Sequence, residues 1–230
     1  MEKKFSLPEY GIEVTLGKYA QQAQGAVWLQ QAGTVLLSTV CSSPTEEFPG
    51  FLPLTVDYRE NYAAAGRIPG GYFKREGKPS DKDVLTARLI DRSLRPLFPE
   101  NFFDQLQILT GVYSVDKEHI PSTLALLASS LALTISSIPF LGPVGAVNVA
   151  RVKGEWIVCP TYSQNSESDV RITVAGTLEG VCMVEGSCDE ISEAEFLDAL
   201  FKGHEVIKKQ IEWQLEIQKE VGLPKVQTVQ

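Results

Sequence analysis

The sequence predicts an α/β or α+β protein built in two layers, sheet against helices. Two patterns carry that reading: short apolar runs that alternate or are rich in β-branched residues, and helix-period segments set among them. A third narrows it, because strands and helices alternate too irregularly for a doubly wound dinucleotide-binding domain.

The elements follow in order. Ile12, Val14 and Leu16 alternate with polar neighbours, and "AVWLQQAGTVLLSTV" offers two apolar runs about a turn at Gly33. "FLPLTVDYRE" supplies a further strand. Ala63 to Pro79, rich in glycine and proline, reads as a loop. Ser80 then caps a helix, with Asp83 three residues on to complete a capping box. That helix should end near Arg95, because Pro96 disfavours helical geometry in the residue before it. "QLQILTGVYSVD" is a strand, and "STLALLASSLALTISSIPF" is a buried helix, interrupted by hydroxyls and too short for a membrane span. "GAVNVARVKGEWIVCPT" is a hairpin turning at Lys153–Gly154, and "VRITVAGTLEGVCMVEG" gives two more strands. Ser192 and Glu195 cap a long amphipathic helix whose apolar positions include Phe196, Leu200, Val206, Ile207 and Ile211. From about Gly222 a frayed tail is expected.

Composition excludes several classes. With 230 residues, 43% hydrophobic and 22% charged, the chain can build an ordinary soluble core without disulfides or metals. Cys41, Cys159, Cys182 and Cys188 form no C-x-x-C pair, and His119 and His204 are the only histidines, so no zinc site is expected. Such scattered cysteines read as reduced core residues of a cytosolic protein. "MEKKFSLPEY" lacks an apolar signal region, which makes a cytoplasmic location the expectation. "GRIPGG" lacks the lysine and hydroxyl of a phosphate loop, and no G-x-S-x-G supplies a serine nucleophile.

Charge singles out one region. "GRIPGGYFKREGKPSDKDVLTARLIDRSLRPLFP" sets eight cations against four carboxylates inside a chain of net charge −8. Arg88, Arg92 and Arg95 recur at i, i+4 and i+7, within about 60° of one another on a helix, while Leu85, Leu89, Ile90, Leu94 and Leu97 fill most of the remaining circumference, so the rest of the helix is expected to be largely buried. The stripe is either a set of structural ion pairs, with Asp91 a candidate partner, or a wall of guanidinium groups facing an anionic substrate. Tyr72, Phe73, Lys74 and Arg75 sit in the glycine-flanked loop. They are either a hydrophobic latch or a stacking platform for single-stranded nucleic acid.

This stretch, together with "FLPLTVDYRE", "SSIPFLGPVGAV" and "VAGTLEGVCMVEG", resembles the first ribonuclease-PH-like core of the bacterial polynucleotide phosphorylase family. The resemblance implies a ribonuclease PH-like fold with a left-handed βαβ feature, filling residues 1–222, and a tail over 223–230 leading to a helical linker domain. It implies a phosphate-dependent 3′-to-5′ exoribonuclease that releases nucleoside diphosphates, works as a homotrimer on single-stranded RNA in the cytoplasm and meets RNA-degradation partners. A Phe-Phe-Arg-Arg loop of the family falls on Tyr72, Phe73, Lys74 and Arg75, and its helix arginines fall on Arg88, Arg92 and Arg95. Catalysis is expected elsewhere. The family's phosphate turn matches His119-Ile120-Pro121-Ser122, where proline removes a backbone donor. Its metal aspartate matches Arg171. Inorganic phosphate and magnesium or manganese are therefore assigned to a second core, and none to this chain. Alternative readings are a free-standing ribonuclease PH and a non-catalytic RNA-binding ring subunit.

Overall fold

The structure is a computed structural model that describes residues 2–45, 49–72 and 75–226. The first sheet is built from β1 (Lys3–Leu7), β2 (Ile12–Leu16), β3 (Gly25–Gln31), β4 (Thr34–Ser43), β5 (Leu54–Glu60) and β6 (Gln105–Ser114). Its strand order is β1-β2-β3-β4-β6-β5. All its pairs are antiparallel except β5 with β6. Parallel neighbours need a crossover, and α1 (Asp81–Leu94) supplies it, so β5-α1-β6 is a βαβ unit with β5 at the sheet edge. The second sheet, order β10-β9-β7-β8, is wholly antiparallel. It contains β7 (Gly145–Val152), β8 (Glu155–Val158), β9 (Val170–Gly176) and β10 (Val181–Cys188).

Alternation works as expected on the inner faces. Ile12, Val14 and Leu16 are buried, as are Val27 and Leu29 on β3 and Leu36 and Val40 on β4. At the β3–β4 turn the left-handed backbone falls on Ala32 (φ 49°), not on Gly33. Gly33 is needed for another reason: a Cβ there would lie 3.0 Å from Cβ of Asp116. The β7–β8 hairpin turns at Lys153 and Gly154, both with positive φ.

Helix α2 (Pro121–Ile135) is the hub, buried at every position except Ser122 and Ile135. It packs on β3, β4 and β6 of one sheet, on β7 of the other, and on α4 (Glu193–Val221). Its hydroxyls explain why so apolar a segment belongs in a core. Ser129 Oγ lies 3.0 Å from Ser38 Oγ and 3.1 Å from Thr110 Oγ1, closing a triangle with the 2.9 Å Thr110–Ser38 bond. Each bond contributes only about 1 kcal/mol net, but a buried hydroxyl left unpaired costs more than that. The triangle therefore fixes how α2 sits on the sheet. Among the described residues no helix is long and apolar enough to cross a membrane.

Several expectations are corrected. All four cysteines are exposed, so none is a core residue. The α1 circumference is not largely buried: Leu89, Ile90 and Leu94 face the core, whereas Val84 and Leu85 face outward. The residues after α4 are not frayed through Val226. The Leu223 and Val226 amides donate to the carbonyls of Ile135 and Ser137 at 3.0 and 2.8 Å. Lys225 Nζ donates to the carbonyls of Leu133 (2.7 Å) and Ser136 (2.8 Å), and burial pushes its amine down to about 8. Strand β1 and the short helix α3 (Tyr162–Ser166) were not anticipated.

Candidate nucleic-acid interface

The basic loop is held by its two ends. On one side, Tyr62–Ala65 forms a 3-10 turn closed by Gly66 at φ 66°. The Arg67 amide donates to the Tyr62 carbonyl (2.9 Å), and the Val115 amide donates to Ala64 (3.0 Å), tying the turn to the end of β6. On the other side, Ser80 caps α1: its Oγ accepts from the Asp83 amide while Asp83 Oδ2 accepts from the Ser80 amide, the expected capping box. Asp83 Oδ1 also accepts from the Glu60 amide (3.1 Å), and a Glu76 carboxylate oxygen accepts from the Tyr62 amide. One carboxylate thus joins β5 to α1, and another joins the turn to the loop.

Below these contacts lies a charge network. Lys82 Nζ donates to Glu60 Oε2 (3.0 Å) and to the Tyr162 hydroxyl (3.2 Å), and the buried Tyr58 hydroxyl donates to Glu60 Oε1 (2.5 Å). Burial pushes the Lys82 ammonium down, but the hydrogen bond and charge of Glu60 outweigh it and hold the amine above its ordinary value. Burial, then the Glu60 carboxylate, pushes the Tyr58 phenol far up.

The residues singled out by the sequence are placed as follows. Tyr72 is 80% exposed and Arg75 is exposed, while Phe73 and Lys74 lie outside the described residues. Tyr72 and Arg75 help to line a groove of about 910 Å³ with Arg59, Tyr62, Arg67 and Lys78. Tyr62 and Arg59 were missed in the sequence. The available signal was strand alternation, which puts Arg59 on the face opposite buried Tyr58.

The three helix arginines do not act alike. Arg88 is exposed and lines a cleft of about 370 Å³ between β5 and α1. Arg92 Nη1 is 3.8 Å from Glu185 on β10, a loose exposed pair. Arg95 folds back: its Nε and Nη2 bond Asp91 (2.7 Å at the closest), Nη1 donates to the Leu52 carbonyl (2.9 Å) and Nη2 to that of Leu54 (3.2 Å). Its guanidinium clasps the β5 edge, the ion-pair alternative of the sequence reading.

The start of α2 has different chemistry. Ile120 is its N-cap, with no side-chain cap, and Pro121 follows. Asp116 instead organises the preceding turn, accepting from the Glu118 and His119 amides (2.9 and 2.7 Å), from the Gly33 amide (3.1 Å) and pairing with His119 Nδ1 at 2.8 Å. Burial raises its carboxyl, but those donors prevail and bring it down to about 2. Arg171 Nε donates to Ser168 Oγ (3.2 Å), and Thr173 Oγ1 donates to Asn148 Oδ1 (2.8 Å). Among the described residues no group of three or more His, Cys, Asp or Glu side chains could hold a metal ion.

These elements define a class. Residues 10–139 match the 3′ exoribonuclease family, domain 1, and residues 142–206 match domain 2 of the same family. The chain belongs to the 3′ exoribonuclease family. Within it, the chain is similar to polyribonucleotide nucleotidyltransferases: 49% identical to that of Finegoldia magna over all of this chain and 33% of the relative. That of Citrifermentans bemidjiense is 46% identical over 93% of this chain and 31% of the relative, and that of Porphyromonas gingivalis 47% over 92% and 28%. The chain thus spans about a third of the length of these relatives. Two solved structures share the fold. The Archaeoglobus fulgidus exosome with RNA bound to the active site has a TM-score of 0.65 at 18% identity, covering 87% of each chain. Rice (Oryza sativa) Rrp46 has a TM-score of 0.71 at 13% identity, covering 90% of this chain and 93% of that one.

Proposed function

We propose that this chain is the RNA-gripping core of a phosphate-dependent 3′-to-5′ exoribonuclease of the polyribonucleotide nucleotidyltransferase type. The observation that carries it is the exposed loop of Tyr72 and Arg75, rooted at both ends and flanked by further cations, on a member of the 3′ exoribonuclease family. An aromatic face beside cations stacks on bases and pairs with phosphates of a single strand. Arg88 and Arg92 extend the basic surface along α1, while Arg95 keeps β5 and α1 in register beneath it.

The reading assigns chemistry to a second core. Inorganic phosphate and magnesium or manganese would be held there, because this chain offers Pro121 and Arg171 where the resemblance puts a phosphate turn and a metal carboxylate. A trimeric ring, RNA-degradation partners and a cytoplasmic location belong to the same proposal.

The test is a fluorescence titration of this chain with labelled single-stranded RNA across a salt series. Tyr72→Ala with Arg75→Ala should weaken binding by about tenfold or more and lower the salt slope by about 0.7, one phosphate contact on a single strand. The melting temperature should stay within about 2 °C, since exposed substitutions typically change stability by under about 0.5 kcal/mol. The same chain, given RNA, phosphate and magnesium, should release no nucleoside diphosphate. Unchanged RNA affinity in the double variant would overturn the grip; protein-dependent phosphorolysis would overturn the division of labour.

A further inference from the structure

The groove beside the loop differs from an ordinary solvated charged surface in how its charges are committed. Its carboxylates are engaged by the fold itself. Glu60 takes Lys82 and the Tyr58 hydroxyl, Asp83 takes Ser80 and the Glu60 amide, and Glu76 takes the Tyr62 amide. Its cations are not. None of Arg59, Arg67, Arg75 and Lys78 forms a salt bridge within the described residues. These four come from three separate places, namely the end of β5, the segment after the 3-10 turn, and the approach to α1, yet they line one concavity. Beside them stands Tyr62, 44% exposed, whose backbone is fixed through both its amide and its carbonyl.

We propose that Arg59, Tyr62, Arg67 and Lys78 form a second RNA subsite, in the groove that Tyr72 and Arg75 also line, that holds the sugar-phosphate backbone and one base of a single strand. The inference rests on the proposed RNA-gripping function and extends it to residues to which the resemblance gives no role. Unpaired guanidinium and ammonium groups around one cleft supply phosphate donors of the forked and point-charge kinds. A tyrosine whose main chain is pinned can offer a ring face with little loss of freedom on binding. A cleft of about 910 Å³ lies at the large end for small ligands, which suits more than one nucleotide. Tyr62 also separates RNA from an acidic peptide, which would use the cations and leave the ring idle.

Five variants of this chain test it: Tyr62→Ala, Tyr62→Phe, Arg67→Ala with Lys78→Ala, Arg67→Lys with Lys78→Arg, and Arg75→Ala. Because the contacts of Tyr62 that build the turn are backbone ones, neither substitution removes them. Binding of labelled single-stranded RNA is measured against salt, with polyglutamate as competitor and a melt for each variant. Tyr62→Ala should weaken RNA by about five- to a hundredfold, the loss of one stacked base, and Tyr62→Phe should bind like the parent. The Arg67/Lys78 double variant should lower the salt slope by about 1.4, two phosphate contacts, with Arg67→Lys and Lys78→Arg restoring it. If Arg75→Ala weakens RNA while the groove variants bind and slope like the parent, the subsite is overturned and the loop reading stands. Polyglutamate competing as well as RNA, with Tyr62→Ala silent, overturns it in favour of an acidic protein partner. Failure of the parent to bind RNA at low salt overturns both readings.

Discussion

Asp116 belongs to no helix or strand, yet it meets the β3–β4 turn, the turn before α2 and the His119 ring. Its carboxyl is held at about 2 in the fold, below about 3.9 for an unfolded aspartate. A depressed acid stabilises fully above its unfolded value, and that stability drains away as pH falls toward the folded one. The window is therefore about pH 5 down to pH 2, worth on the order of 1–2 kcal/mol after allowing for solvent screening. Asp116→Asn should be less stable by a similar amount at pH 7 and should lose less across that window. Urea midpoints at a series of pH values measure it; parallel profiles for the two proteins would contradict the assignment. Nothing in the local sequence marks Asp116, because one of its partners, Gly33, lies 83 residues away. The capping boxes of Ser80 and Ser192 were readable because every atom involved lies within one helical turn.

At the scale of an element, α1 shows how far periodicity reaches. The spacing of Arg88, Arg92 and Arg95 was legible, and so was the common stripe. Which guanidinium is already committed was not, since the carbonyls that occupy Arg95 belong to Leu52 and Leu54, about forty residues upstream. The loop residues Tyr72 and Arg75 were legible through composition and resemblance, whereas Tyr62 and Arg59 become neighbours of the loop only once β5 and the 3-10 turn are in place. The difference between the arginines is measurable. Arg95→Ala should destabilise by about 1–3 kcal/mol, losing a partly buried charged contact and the donors to the Leu52 and Leu54 carbonyls, with RNA affinity held. Arg88→Ala should weaken RNA and leave the melting temperature near the parent. The opposite assignment of effects would return Arg95 to the interface.

Over the whole molecule, the two sheets share α2, and the main apolar core runs from Ile12 and Leu36 through α2 to Ala146, Ala175 and Trp213. Separate unfolding of the sheets would expose both faces of that helix, each buried leucine being worth about 1.5–3 kcal/mol. Unfolding should therefore be a single transition. Trp28 reports on the first sheet, Trp156 on the second and Trp213 on α4, so single-tryptophan variants followed by fluorescence should give midpoints that coincide with far-ultraviolet circular dichroism. Separated midpoints would show that α2 does not couple the sheets. The order of elements along the chain was largely readable. The pairing order was not, because β5 reaches the sheet edge beyond β6 through contacts that no local pattern encodes.

The five residues after α4 set a rule for anyone trimming this protein. They are the cap of α2: Leu223, Lys225 and Val226 together supply four hydrogen bonds to the carbonyls of Leu133, Ile135, Ser136 and Ser137. A boundary drawn where the last helix ends, at Val221, would look natural on a diagram and would strip the end of the central helix of these four bonds. A shortened gene should run through Val226.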